Sequence, residues 1–397
     1  MAHADALLPM RGNWIALGVW GLTRGWVLLL IWLMPWIPYD VQLYEGWYDV
    51  LRQGHIPSGD PLWQYPPWSA APIIIVGLFP GPYLIVFLAF ALVIDLVIML
   101  TTLHRRHTSE GAWPGVWLWA TAGFWIGPVL LARLDILTAG LAVVALAAMK
   151  RPITSSILIA AGLAIKLWPA VLAAAWPRLE VKKRMIVVTL VSFVMLGISN
   201  IFWSESMDFL FKQGNRGLHA ESVGASPFLL QQLLSGSYDV VERSGTSEIV
   251  STGTATVGLS LSIFGFALVT TIVLLAWFDK LPSLPKTDIA FIALLVLVTT
   301  SRILSPQFYV WLGAVLALAL LDRNTRLRPV ALLVIGSALL AQYVYPLRTD
   351  FPDTDSTLIQ LLRVVLLLGA CIWALRVVFV SARQQHRVVA GKRNPPG

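Results

Sequence analysis

Apolar residues run through this chain in long blocks separated by short polar breaks. The blocks fall at 14–36, 69–80, 83–103, 114–131, 136–149, 152–176, 185–203, 256–278, 287–303, 306–321, 328–345 and 357–380. A straight crossing of the hydrocarbon core needs about 20 apolar residues, so several blocks are short. One of them, 152–176, is interrupted at Pro169. Short or broken apolar segments are tolerated at membrane depth where they pack inside protein or line a cavity. The pattern predicts an all-α polytopic integral membrane protein with about ten to twelve transmembrane helices, several short or broken. Pro66, Pro67, Pro72, Pro80 and Pro82 crowd block 69–80, which reads as a re-entrant half-span. Residues 1–380 form one transmembrane domain, and 381–397 a basic tail that is disordered or lies on anionic headgroups. No soluble domain, low-complexity tract or clear internal repeat interrupts the pattern.

Composition agrees. The 397 residues are 57% hydrophobic and 13% charged, where a soluble domain carries about 25% charged residues. The net charge of +8 is read as topology and not as a nucleic-acid footprint. Arg105-Arg106, Lys150-Arg151, Arg178 with Lys182 to Arg184, Lys280 with Lys286, Arg323 to Arg328 and the tail are expected on the cytoplasmic side. The loops 37–68, 204–255 and 346–356 and the turns at Arg133–Asp135 and Ser301–Ser305 then face outward. The first block is too long for a signal-peptide core and is expected to be retained. Cys371, the single cysteine, excludes an internal disulfide and a cysteine-based metal site.

Candidate chemistry gathers on the outward side. Asp40 reads as the N-cap of a helix whose Tyr44, Trp47, Tyr48 and Leu51 share one face, suited to the membrane interface. Asp40 is either a cap or a carboxylate able to accept a proton. Asp49, His55, Asp60 and Tyr65 share its loop, and Tyr65-Pro66-Pro67 leads into the next segment. Arg133 and Asp135 form either a local pair or part of the same cavity, where arginine could grip phosphate through two hydrogen bonds. Lys166, inside an apolar run and three residues before Pro169, snorkels, pairs or binds an anionic headgroup. Ser305 with Pro306 reads as an N-cap and first turn, with Gln307 next and Arg302 just upstream: a candidate anion site. Arg24 and Asp95 lie mid-span and are expected to pair as architecture. Loop 204–255, with Lys212, Arg216, His219 and Glu221, reads as a cap over a cleft. No glycine-rich phosphate loop, zinc pattern or nucleophile elbow occurs.

Several motifs occur in a fixed order. An outer Asp40 is followed by Tyr44, then Tyr65-Pro66-Pro67, Arg133 and Asp135. Gly162-x-x-x-Lys166-x-x-Pro169 comes next, and Arg302-x-x-Ser305-Pro306-Gln307-Phe308 closes the series. This order resembles the GT-C superfamily of polytopic glycosyltransferases, and most of all glycosyltransferase family 87, the bacterial polyprenyl-phosphate-mannose-dependent mannosyltransferases. The resemblance implies a GT-C type bundle in the cell membrane with its active site facing the periplasm. It implies transfer of a hexose, mannose first, from a polyprenyl-phosphate-sugar to a glycolipid or lipoglycan acceptor, with inversion. It casts Asp40 as general base and Arg302, Lys166 and Arg133 as donor-phosphate ligands. Tyr44, Asp49, His55, Tyr65, Asp135, Ser305 and Gln307 become candidate substrate contacts. It calls for no cofactor. Many relatives carry paired acids where this chain has a lone Asp40, which leaves a divalent metal open. Three alternatives stand beside this reading: a transporter or flippase of a lipid-linked sugar, an enzyme of the same superfamily using another lipid-linked sugar, and a non-enzymatic assembly subunit.

Overall fold

A computed structural model describes residues 2–108, 111–214, 216–236, 239–243, 245–346 and 353–393. Helices dominate. In chain order they are α1 (Ala2–Leu33), α2 (Tyr39–Leu51), α3 (Ala70–Gly77), α4 (Tyr83–Thr108), α5 (Pro114–Ala120), α6 (Ala122–Ile126), α7 (Asp135–Ala147) and α8 (Pro152–Ile165). There follow α9 (Val181–Phe202), α10 (Asp208–Gly214), α11 (Ser226–Ser235), α12 (Thr254–Trp277), α13 (Lys286–Thr299), α14 (Phe308–Ala319), α15 (Arg328–Val344) and α16 (Thr354–Arg393). A small antiparallel hairpin, β1 (Val240–Arg243) with β2 (Thr246–Ile249), sits in the long polar loop, Val240 opposite Ile249. Among the described residues, five helices are long and apolar enough to cross a membrane: those within α1, α4, α9, α12 and α16.

The shorter elements have local causes. A proline lacks an N–H, and its ring collides with the carbonyl four residues earlier. Pro169 accordingly ends α8 at Ile165, and the chain passes through an extended Lys166 into a 3₁₀ stretch, Trp168–Ala175. Gly162 makes this reversal possible, because a Cβ there would come within 3.0 Å of the Pro169 ring. The expected break is therefore real, but it falls at Lys166, ahead of the proline. The block 114–131, expected as one span, is divided at Thr121 and again at Gly127, where φ is +74° and Pro128 follows. The block 69–80 yields the eight-residue α3, about 12 Å long and too short to cross. The helix expected to start at an Asp40 cap starts at Tyr39 instead, with Pro38 before it and no side-chain cap. Likewise α14 starts at Phe308, so Ser305 does not cap it; the Ser305 hydroxyl donates to Gln307 Oε1 at 2.5 Å. The basic tail, expected either as disordered or as lying on anionic headgroups, continues α16 as far as Arg393, and residues 394–397 lie outside the described residues.

Contacts sort the connections onto two ends. At the cationic end Ala112 donates to the Leu321 carbonyl (2.8 Å), Thr325 to Asp288 (3.0 Å) and Arg184 to the Met149 carbonyl (2.5 Å), while Ser283 meets Ser381 (2.5 Å). This puts Arg105-Arg106 with the other basic loops, as the charge pattern expected. At the opposite end, Trp203 donates to Gly54 (3.1 Å), the Arg302 carbonyl accepts the His219 N–H (3.0 Å), and Trp36 donates to Pro346 (3.1 Å). Of the expected outer loop 346–356, residues 347–352 lie outside the described residues.

Helix length gives this second end a recess. α7, α8, α13 and α14 have 13, 14, 14 and 12 residues, about 18–21 Å of helix at ~1.5 Å per residue. α9 and α12 have 22 and 24 residues, about 33–36 Å. The short helices all reach the cationic end, so their other ends stop well below the far rim. Those ends carry Asp135, Lys166 and the Ser301–Ser305 turn.

Candidate active site

The recess is roofed by the first outer loop and by residues 203–250. α2 turns Val41, Tyr44, Trp47 and Leu51 inward. The aromatic face expected at the lipid interface is thus core: the Tyr44 ring lies 5.5 Å from Phe87, and Trp47 sits edge-on to Trp63 at 5.0 Å. Asp60 fixes this cluster by accepting from Trp47 Nε1 (2.7 Å) and the Leu62 N–H (2.8 Å). The roof is tied down by cations. Lys212 donates to the carbonyls of Ser58 (2.5 Å) and Asp60 (2.8 Å), and Arg216 donates to Gln64 Oε1 (2.6 Å) and Thr246 (2.6 Å).

Asp40, in the first turn of α2, is ion-paired with Arg133 at the rim. Arg133 also donates to the Tyr345 hydroxyl at 2.9 Å. Deeper, the fully buried carboxylate of Asp135 accepts from Lys166 Nζ at 2.8 and 2.9 Å and from Trp311 Nε1 at 2.7 Å. The Lys166 ammonium lies 5.1 Å from the Tyr65 ring and 5.4 Å from that of Trp311. The hydroxyls of Tyr44 and Tyr65 meet at 3.3 Å. Burial, reinforced by nearby Tyr65 for Tyr44 and by Asp135 for both, raises both phenols above their ordinary value, so they remain protonated donors. Arg216 donates to Gln64 and Lys166 lies over the ring of the next residue, Tyr65, so these two cations flank the same stretch of the first outer loop. Ser305 and Gln307 bond each other at the edge of the same turn.

The structure does not bring every candidate here. Asp49 is nine residues from Asp40, half a helical rotation away, and pairs with Arg52 in the open at 3.1 Å. His55 is exposed on the same outer surface. Neither reaches the recess. Among the described residues no three carboxylates, imidazoles or thiols converge as metal ligands.

The sequence reading passed over one network entirely. Arg363, fully buried in α16, is ion-paired with Glu221 of the roof and donates to Tyr309 at 3.2 Å. Gln360 donates to the Glu221 carbonyl at 2.5 Å. Burial pushes Glu221 up from the ordinary carboxylate range, against the opposing pull of Arg363. The available signal was the charge itself, an arginine inside the apolar block 357–380.

The lipid-facing side of α12 carries an open, mostly apolar groove of about 360 Å³, lined by Thr256, Val257, Ser260, Leu261 and Phe264. Gly258 of the same helix packs on Arg302, 3.5 Å from a Cβ placed there to the arginine Cβ.

A helical membrane bundle with a charged recess at one end and a lipid-facing groove at its edge is a polytopic membrane protein built around a polar site. The model of Glycosyltransferase family 87 matches residues 63–306, more than half of the chain. The chain belongs to glycosyltransferase family 87, and it is a membrane glycosyltransferase. No curated protein matches it, and no solved structure matches it. Arg133, Asp135, Lys166, Arg302 and Ser305 lie within the matched segment; Asp40, Tyr44 and Gln307 lie outside it.

Proposed function

We propose that this protein transfers a hexose, first of all mannose, from a polyprenyl-phosphate-sugar to a hydroxyl of a glycolipid or lipoglycan, on the periplasmic side and with inversion. The acceptor oxygen attacks the anomeric carbon as the bond from that carbon to the phosphate oxygen breaks. The electron pair leaves with polyprenyl phosphate, and the acceptor proton passes to the Asp40 carboxylate. Arg133, Arg302 and Arg216 stabilise the charge that grows on the phosphate, where fixed cations in a water-poor recess act most strongly. Lys166 joins them from below, shared with Asp135. Tyr44 and Tyr65 offer hydroxyls to the sugar, and the groove on α12 receives the isoprenoid chain.

The observation that carries this reading is the ion pair of the rim carboxylate Asp40 with Arg133, at the same end of the bundle as Lys166, Arg216 and Arg302. Positive-inside loops support the periplasmic assignment, since the basic loops gather at the end away from the recess. The test is transfer from labelled polyprenyl-phospho-mannose by purified protein in liposomes, with mass spectrometry of the glycolipid product. A new hexosyl–acceptor bond is expected from the wild type and not from Asp40→Asn. Movement of the lipid-linked sugar across the bilayer without any new bond would overturn the transferase reading in favour of a flippase.

A further inference from the structure

The buried pair of Arg363 in α16 and Glu221 in the roof has no part in the chemistry proposed above. The pair is embedded in a wider set of bonds. Arg363 Nη1 also donates to Gln360 Oε1 at 3.0 Å, and Gln360 Nε2 donates to the Glu221 carbonyl at 2.5 Å. One face of α16 therefore holds both the side chain and the backbone of Glu221. Arg363 Nε donates to the Tyr309 hydroxyl at 3.2 Å, and Tyr309 stands in the first turn of α14. Ser337 of α15 meets that hydroxyl at 2.6 Å and donates to the Arg363 carbonyl at 2.9 Å.

These bonds bracket the Ser301–Ser305 turn. On the roof side, the His219 N–H donates to the Arg302 carbonyl at 3.0 Å, and the Ser222 N–H donates to the His219 carbonyl at 2.9 Å. Glu221 lies inside that small turn, so it cannot shift without moving the bond to Arg302. On the helix side, Tyr309 follows the same stretch and is held by Arg363. Both flanks of the backbone that carries Arg302 thus lead to one ion pair. Stability alone does not account for charge at this place. Burying two charges costs desolvation, and apolar residues of similar volume often hold a core as well or better. Apolar contact, however, is non-directional, whereas an ion pair with directed hydrogen bonds fixes one register. We propose that Glu221 and Arg363 are positioning residues, which set the Arg302 turn beneath the roof and through it the grip on the donor phosphate as the bond to the sugar breaks. This rests on the function proposed above. The two residues act through the turn and not on the sugar.

The test separates holding the bundle together from placing the turn. The full chain is compared in nanodiscs as wild type, as Arg363→Met, which strands Glu221, and as the double variant Glu221→Leu/Arg363→Met, which is apolar throughout. Arg363→Met should lower Tm, and the double variant should recover most of that loss. The Arg302–Ser305 and Leu218–Ser222 amides of the double variant should nevertheless exchange hydrogen faster, by roughly tenfold or more. Its kcat for transfer from labelled polyprenyl-phospho-mannose should fall by roughly tenfold or more, because small misplacements of a charge-stabilising group are costly. Exchange and kcat that return to wild-type values together with Tm would make the pair merely structural and overturn the proposal. So would faster exchange of the turn with kcat unchanged. If the double variant does not fold, Glu221→Gln, which keeps the shape and removes the charge, decides by the same two readouts. Hydrogen exchange needs no sugar transfer. A wild type that makes no product would therefore sink the proposed function, while the exchange of the turn still decides whether the pair places it.

Discussion

Asp40 and Arg133 face each other across the rim of the recess, the first from α2 and the second from the turn before α7, with side chains 15% and 12% exposed. While they are paired, the carboxylate is directed at a guanidinium and not at an acceptor hydroxyl. A lipid phosphate entering the recess would compete for Arg133 and free Asp40, so donor binding would precede acceptor activation. Asp40→Asn should fold normally and lose transfer by about 10²–10⁴-fold, the usual worth of a positioned general base. Arg133→Lys keeps the charge but loses the fork, and should lower kcat at least as much as it raises KM for the donor, because the fork acts on charge that grows as the bond breaks. Near-normal product from Asp40→Asn, in an assay with lipid-linked donor, would remove Asp40 from the mechanism.

Asp135 is the most constrained carboxylate of the site, fully buried and holding three donor contacts, two from Lys166 and one from Trp311. Removing the cation alone strands a buried charge, so Lys166→Met should cost about 3–5 kcal/mol. Adding Asp135→Asn removes the stranded charge and should recover much of that loss, though transfer stays impaired because the phosphate has lost a cation. Thermal unfolding of the two single variants and the double variant in detergent gives the comparison. A Lys166→Met protein that melts like the wild type would show that the pair does not hold the recess together.

Arg24 and Asp95 tie α1 to α4 at mid-membrane. Arg24 donates to both carboxylate oxygens, at 2.6 and 2.9 Å, and Trp20 adds a third donor at 2.8 Å. Arg24 also donates to the Ala120 carbonyl at 2.9 Å, which draws in α5. The pair lies within the bundle, and among the described residues it has no hydrogen bond or ion pair to the recess residues. Asp95→Asn should therefore lower expression and thermal stability, by about 3–5 kcal/mol if the arginine finds no other partner. A well-folded, inactive Asp95→Asn protein would contradict this and move the pair into the catalytic apparatus.

Period and charge made much of this architecture legible. Every apolar block corresponds to a helix or a broken helix, and the Arg24–Asp95 pair follows from two charges that neither span could hold alone. The order of motifs from Asp40 to Phe308 pointed to the family that the chain belongs to. What escaped depended on three-dimensional detail. Local propensity cannot tell that Tyr44 turns toward Phe87 and Trp47 toward Trp63 and not toward lipid, because both environments reward aromatic residues. Ser305 looked like a cap until Gln307 took its hydroxyl. Asp49 was a candidate substrate contact in the same loop as Asp40, until helical rotation turned it to the open side beside Arg52. Arg363 was visible as an intramembrane charge, but its partner Glu221 lies 142 positions away in a loop without a recognisable pattern.

His219 offers a pH test of the roof. It is 4% exposed, its Nδ1 has no hydrogen-bond partner among the described residues, and its backbone bridges to Glu248. Burial, with the charges of Arg216 and Arg363, holds its pKa down from 6.5 to about 3. The folded imidazole thus stays neutral at pH values where the unfolded one takes up a proton. Stability from this group is complete above about pH 6.5 and falls as pH drops toward 3, because the unfolded chain binds the extra proton. Between pH 7.5 and 5 the loss should be on the order of 1–2 kcal/mol. His219→Gln cannot titrate there, so its stability should depend less steeply on pH even if it starts lower. Hydrogen exchange of the Leu218–Glu221 amides in both proteins across this range reads the difference directly. Equal pH slopes in the two would mean that the imidazole gains or loses its proton alike in both states, and that another group governs the roof.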